Sequence, residues 1–155
     1  MTVESARTWL GLHAPELRLI EGTASTATVA DAAAALGVEP ARIAKTLALR
    51  VGETVLLVVV RGDARLDNQK SKAEFGGRPK MLDADAAEAL TGHPVGGVCP
   101  FGLASDLPVY CDVSIREFAT VFPAGGSRTA SVEVPPERLA ELVSQRWVDV
   151  CKLPE

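Results

Sequence analysis

The chain has 155 residues, 47% hydrophobic and 23% charged, at a mean hydropathy of +0.15, which excludes an intrinsically disordered polymer and fits one domain, 1–155, without a second catalytic unit. No apolar run exceeds the six residues 55–60, against the ~20 that cross a bilayer, and Glu4 and Arg7 stand where a signal peptide would be apolar, so a soluble cytoplasmic protein is expected. The net charge of −4 argues against wrapping a nucleic-acid duplex. It hides nine Lys/Arg against four Asp/Glu in residues 42–80, a basic middle third that either meets a polyanion over a limited area or is a solvated surface.

In chain order, Val3, Ala6, Trp9 or Leu10, and His13 recur at helical spacing and predict a helix over 3–14, ended near Pro15. Residues 17–21 alternate like a short strand. Thr28 and Asp31 resemble a capping box ahead of the alanine-rich run 32–36, and Gly37 sits where a helix ends. Residues 43–51 and 54–61 are β-branched, apolar runs separated by Gly52 and Glu53, which predicts a hairpin. Helices follow over 67–75, closed by Gly76 and Gly77, and from an Asp83 N-cap through Leu90 to Gly92. Residues 107–112, 119–122 and 129–134 read as strands. A closing helix over 137–145 with Pro136 in its first turn leads into the apolar run 147–150. About seven short strands and five helices without regular βαβ alternation predict a mixed α/β domain, its largely antiparallel sheet curled into a barrel and flanked by helices.

Cys99, Cys111 and Cys151 form no C-x-x-C pair and only His13 and His93 could join them, so neither a disulfide framework nor a metal site is expected. Lys45 is a lone cation in an apolar strand. It either presents its ammonium to phosphate or carbonyl oxygen inside a cleft or snorkels to water. Six Gly and Pro residues between 92 and 102 make that backbone itself a candidate: Gly96 and Gly97 can cradle an oxyanion or simply turn a tight corner. Gly125, Gly126 and Ser127 offer the same two readings. Cys99 with His93 as nucleophile and base is disfavoured, because free cysteine is usually a small buried hydrophobe. Asp112 closes a strand, and holding a loop is the favoured role over contacting a substrate amine.

Five blocks, in this order and spacing, resemble the YbaK-like family of free-standing aminoacyl-tRNA deacylases, relatives of the editing domain of bacterial prolyl-tRNA synthetases. They are Ile43-Ala-Lys-Thr-Leu47, Gly62-Asp-Ala-Arg-Leu-Asp67, Thr91-Gly-His-Pro-Val-Gly-Gly-Val-Cys-Pro-Phe-Gly-Leu103, Val109-Tyr-Cys-Asp-Val-Ser114 and Ala124-Gly-Gly-Ser127. The resemblance implies a barrel-like mixed sheet and a pocket for the aminoacylated acceptor end of a mischarged tRNA. It implies hydrolysis of a small non-cognate residue such as Ala or Cys from prolyl tRNA, with no cofactor. Lys45 matches the family's essential lysine, while Gly97, Pro100, Phe101, Gly102, Asp112, Gly125, Gly126 and Ser127 match substrate-binding positions, and Gly96 is expected to join Gly97 as a backbone donor to substrate. Cys99 stands where many relatives have Ser, which leaves its thiol unassigned. A monomer, with prolyl-tRNA synthetase as a possible partner, is the expected assembly. The competing reading is a non-catalytic module that holds an amino acid, nucleotide or tRNA end in the same pocket.

Overall fold

The computed structural model describes residues 3–154. Its centre is the antiparallel pair β2 (Ile43–Val51) and β3 (Thr54–Arg61), in continuous register from Ala44 opposite Arg61 to Val51 opposite Thr54. The connection is the two-residue turn expected, and Gly52 supplies the positive φ of 60° that such a turn requires. Strand β3 is buried on both faces: Leu57 and Val59 enter one apolar core, Leu56, Val58 and Val60 another. That two-sided burial explains why its sequence is an unbroken apolar run rather than an alternating one.

The other strands are short: β1 (Leu19–Glu21), β4 (Arg65–Leu66), β5 (Lys80–Met81), β6 (Val109–Asp112), β7 (Phe122–Pro123), β8 (Ala130–Val132), β9 (Trp147–Val148) and β10 (Cys151–Lys152). The main sheet runs β5-β2-β3-β6-β9, with β7 also on β2, while β1 pairs β8 and β4 pairs β10 in separate ladders. This path is open at both ends, so the sheet does not close into the barrel expected. The expected antiparallel character also holds only in part. Beside the antiparallel β2–β3 and β2–β5 ladders, β7, β6 and β9 each join in parallel. A parallel pairing needs a long crossover, and the chain between β3 and β6 is long enough to carry two helices.

Those helices are α3 (Asn68–Phe75) and α4 (Ala84–Thr91), N-capped by Asp67 and Asp83, whose carboxylates accept from the Lys70 and Ala86 N–H groups at 3.0 and 2.8 Å. The same logic opens α2 (Val29–Leu36), where Thr28 Oγ1 accepts from the Asp31 N–H. Helices α1 (Val3–His13) and α5 (Pro136–Val143) cover one face of the sheet through Ala6, Leu10 and Leu139. The second core, around Leu49, Val58 and Val150, lies on the opposite face. Among the described residues no helix is long and apolar enough to cross a membrane.

Candidate functional site

Along β2 the side chains alternate between faces, so Ala44, Thr46 and Ala48 share one face and Lys45, Leu47 and Leu49 the other. The first set is unusually small for a strand core, and alanines stand across from it: Ala27, Ala32 and Ala87. Small side chains on facing walls cannot fill the space between the elements. The result is an apolar cavity of about 330 Å³, roofed by Val95, Gly96 and Val98 of the glycine-rich loop and bounded by Met81 and Leu82.

Four hydroxyl side chains, those of Thr26, Thr28, Thr46 and Ser131, interrupt this lining. Thr26 Oγ1 and Thr46 Oγ1 are buried and have no hydrogen-bond partner within the protein. An unsatisfied buried hydroxyl costs about 1–3 kcal/mol, and both belong to residues that line this cavity. Sequence reasoning missed both. The readable signal for Thr46 was its parity with Ala44 and Ala48, three small residues on one face of a strand.

The structure brings the two glycine turns together. The Gly126 N–H donates to the Gly97 carbonyl at 3.1 Å, and the Arg128 guanidinium reaches the Val95 carbonyl at 2.7 Å. A Cβ on Gly97 would lie 2.7 Å from the Ser127 backbone, so the approach itself demands glycine. These contacts consume backbone donors. The Gly97 N–H is taken by the Pro94 carbonyl and the Gly125 N–H by the Ala130 carbonyl. Of the four glycine N–H groups in the two turns, that of Gly96 alone has no partner among the described residues, and Gly96 is the one that borders the cavity. Ser127 Oγ accepts from the Thr129 N–H at 3.3 Å and so stiffens its own turn.

Lys45 borders the cavity, but its half-buried ammonium is tethered to the Ala64 carbonyl at 2.7 Å, in the loop after β3. Burial holds its pKa below the ordinary lysine value; the charges of Asp63 and Arg65 act on it in opposite senses. Asp63 is itself clamped by Arg61 at 2.5 and 2.9 Å, and Arg61 also pairs with Glu117.

Four expected site residues stand elsewhere. Phe101 is fully buried in the main core, 5.6 Å from Trp9, and Pro100 is buried beside it. Gly102, at φ 61°, lies so close to α1 that a Cβ would meet the Ser5 carbonyl at 2.4 Å. Asp112 is buried with both carboxylate oxygens occupied, one by the Val150 N–H at 2.7 Å and one by the Ser114 N–H at 3.0 Å. It ties β6 to the segment before β10, which is the loop-holding role rather than a substrate contact.

His93 and Cys99 do meet, with Sγ 3.6 Å from Nε2, but both are fully buried. The His93 ring sits 2.6 Å from the Phe101 carbonyl, which requires Nε2 to carry the proton and leaves Nδ1 unpartnered. Burial pushes the Cys99 thiol up to about 12 and the imidazole below its usual value. A thiol that stays protonated beside a donor nitrogen is not an activated nucleophile.

The chain matches the family model described as the aminoacyl-tRNA editing domain over residues 23–142. It is 47% identical over 154 residues to the uncharacterized protein YwhH of Bacillus subtilis (strain 168), covering 98% of both chains. It is 30% identical over 121 residues, 76% of this chain and 73% of the other, to EbsC of Enterococcus faecalis, provisionally named a Cys-tRNA(Pro)/Cys-tRNA(Cys) deacylase. Among solved structures, a crystal structure provisionally described as a trans-editing enzyme for prolyl tRNA synthetase superposes with a TM-score of 0.88 at 30% identity, covering 97% of this chain and 96% of that one.

Proposed function

This chain belongs to the aminoacyl-tRNA editing-domain family, and we propose that it is a trans-editing deacylase that hydrolyses the ester of a small non-cognate amino acid, Ala or Cys, on prolyl tRNA. The observation that carries the reading is the cavity's inventory: alanine walls, two residues with unpartnered hydroxyls and one glycine with an unpartnered N–H, all bordering one small space. Thr26 and Thr46 receive the aminoacyl amine or carbonyl. The Gly96 N–H stabilises the oxyanion as water adds to the ester carbon, and the carbon–oxygen bond to the terminal ribose then breaks. The proton lost by water ends on the departing ribose oxygen, with the neighbouring ribose hydroxyl as relay.

An ester is already activated relative to an amide, so positioning and oxyanion stabilisation account for the chemistry without a triad. Lys45, which borders the cavity, exchanges the Ala64 carbonyl for the terminal phosphate of the substrate. Alanine walls favour small side chains, and each misfitted methylene is worth about 1–3 kcal/mol. Prolyl-tRNA synthetase, which supplies the mischarged product, is the partner this reading implies.

The test is purified protein with Ala-, Cys- and Ser-charged prolyl tRNA. Release of free amino acid well above the spontaneous rate, lost in Lys45→Ala, is the expected result. Binding without release would make the chain a holding module and overturn the deacylase reading. Full turnover by Lys45→Ala would remove the lysine from the mechanism.

A further inference from the structure

No residue of the block 62–67 lines the cavity, yet its third residue, Ala64, holds the Lys45 ammonium. Lys45 stands opposite Val60 in the β2–β3 ladder and so lies on the face of the second core, which contains Ala64 and Cys151. The turn 61–64 is fixed there on several sides. The Ala64 N–H donates to the Arg61 carbonyl at 2.9 Å and closes the turn, and the Arg61 N–H donates to Ser114 Oγ at 3.1 Å. Gly62 is pressed so closely on the start of β2 that a Cβ would lie 2.3 Å from the Pro40 carbonyl oxygen. The Ala64 carbonyl is therefore a stationary acceptor, and a neutral one.

Across the same turn, Arg61 Nε and Nη2 donate to the two oxygens of Asp63 at 2.5 and 2.9 Å, while Nη1 reaches Glu117. Asp63 immediately precedes Ala64, and its charge acts on the Lys45 ammonium without pairing with it. Other cations of the basic middle third, Arg42 and Lys70, do take carboxylates, those of Glu133 and Asp149. Lys45 makes no ion pair among the described residues. A charge-assisted bond to a carboxylate is roughly twice as strong as a bond to a neutral acceptor. An uncommitted Asp63 would therefore capture the neighbouring ammonium, and a substrate anion would have to compete with a resident one.

We propose that Arg61 is a positioning residue for Lys45: by engaging both oxygens of Asp63 it leaves the ammonium on a neutral carbonyl, from which it transfers to an anionic group of the substrate. Asp63, in turn, keeps a half-buried lysine charged from a distance. The identity of the substrate anion rests on the deacylase reading. The division of partners among Arg61, Asp63 and Lys45 does not.

The experiment follows the Lys45 ammonium by NMR in the full chain labelled in its lysine side chains, assigned with Lys45→Arg, beside deacylation kinetics. The groups whose charge faces Lys45 are Asp63 and Arg65 from the segment after β3 and the Cys151 thiol from β10, which burial pushes up to about 12. In Arg61→Gln the Lys45 pKa should rise by about one pH unit as Asp63 turns to it. KM for charged tRNA should rise about tenfold with kcat nearly unchanged, because the lost interaction is one of binding. In Asp63→Asn the Lys45 pKa should fall. The double variant Arg61→Gln/Asp63→Asn should keep that low pKa and recover most of the lost KM, since no carboxylate is left to compete. Arg61→Lys, one point charge for two oxygens, should fall between, and it carries the same test where the glutamine variant does not fold. Glu117→Gln takes a carboxylate from Arg61 without releasing Asp63 and should leave the Lys45 pKa alone. An unchanged Lys45 pKa in Arg61→Gln would overturn the proposal. So would equal KM losses in the single and double variants, the mark of a merely structural arginine. If wild type fails to deacylate while the pKa pattern holds, Arg61 keeps its role and the deacylase reading falls; turnover without that pattern gives the reverse.

Discussion

The loop between α4 and β6 has two halves alike in composition and opposite in what they touch. Val95, Gly96 and Val98 face the cavity, and Gly96 keeps an unpartnered N–H there. Phe101 and Gly102, only a few residues on, are pressed into the main core and against α1. In the first half Gly97 permits the approach of the Ser127 backbone and Gly96 borders the cavity; in the second Gly102 permits packing against α1. His93 joins the halves, its ring against the Phe101 carbonyl, so the core half acts as the anchor from which the cavity half is hung.

Substitutions at the two ends should therefore separate stability from activity. The largest effect is expected for Gly102→Ala, where a positive φ and a Cβ 2.4 Å from the Ser5 carbonyl combine. Strain and overpacking together cost about 3 kcal/mol, or ~6–12 °C in Tm for a chain of this size, measured by thermal unfolding. Gly96→Ala carries the strain of φ 89° too, but its Cβ would meet the Ala27 methyl at 2.9 Å, the Ala27 Cα at 3.2 Å and the flexible Arg128 stem at 3.2 Å rather than a backbone carbonyl, so it should lose about 2 kcal/mol while deacylation drops by much more than that stability loss explains. Equal stability losses at Gly96 and Gly102 would erase the contrast.

Thr46→Val sharpens it further. Replacing an unpartnered buried hydroxyl by a methyl should raise stability by up to about 1 kcal/mol and yet reduce turnover, a sign pattern that a structural threonine does not give. The smallest effect concerns pH. His93 is held neutral by burial, so its folded pKa lies below the ordinary 6.5. Below about pH 6.5 the unfolded chain takes up a proton the folded one refuses, and stability falls with pH through that window. His93→Gln keeps a donor for the Phe101 carbonyl and should flatten this part of the stability profile, read from denaturant midpoints between pH 7 and 5.

Much of the local structure was legible because its causes are local. Gly52 and Glu53 specify the hairpin, and Thr28, Asp67 and Asp83 specify helix starts, since each acts on atoms within three or four residues. The order of five short blocks was enough to find the family. Of the expected site residues, Lys45 and Gly96 border the cavity, whereas Pro100, Phe101, Gly102 and Asp112 stand elsewhere: a motif position shows that a residue matters without showing whether it faces ligand or core.

What the sequence by itself determined is the set of elements, their caps and turns, and the editing-domain membership, all readable from short-range patterning and motif order. Only the tertiary structure decided that β6 runs parallel to β3 and leaves the sheet open, that Gly97 meets Ser127 thirty positions away, and that Ala64 holds the Lys45 ammonium. It also decided that the Asp63 and Glu117 carboxylates go to Arg61 and leave Lys45 without an ion pair among the described residues. The physical reason is the range of the forces at work. Propensity and capping act within a turn of the chain, while cavity shape, donor availability and charge pairing depend on atoms that distant segments bring together.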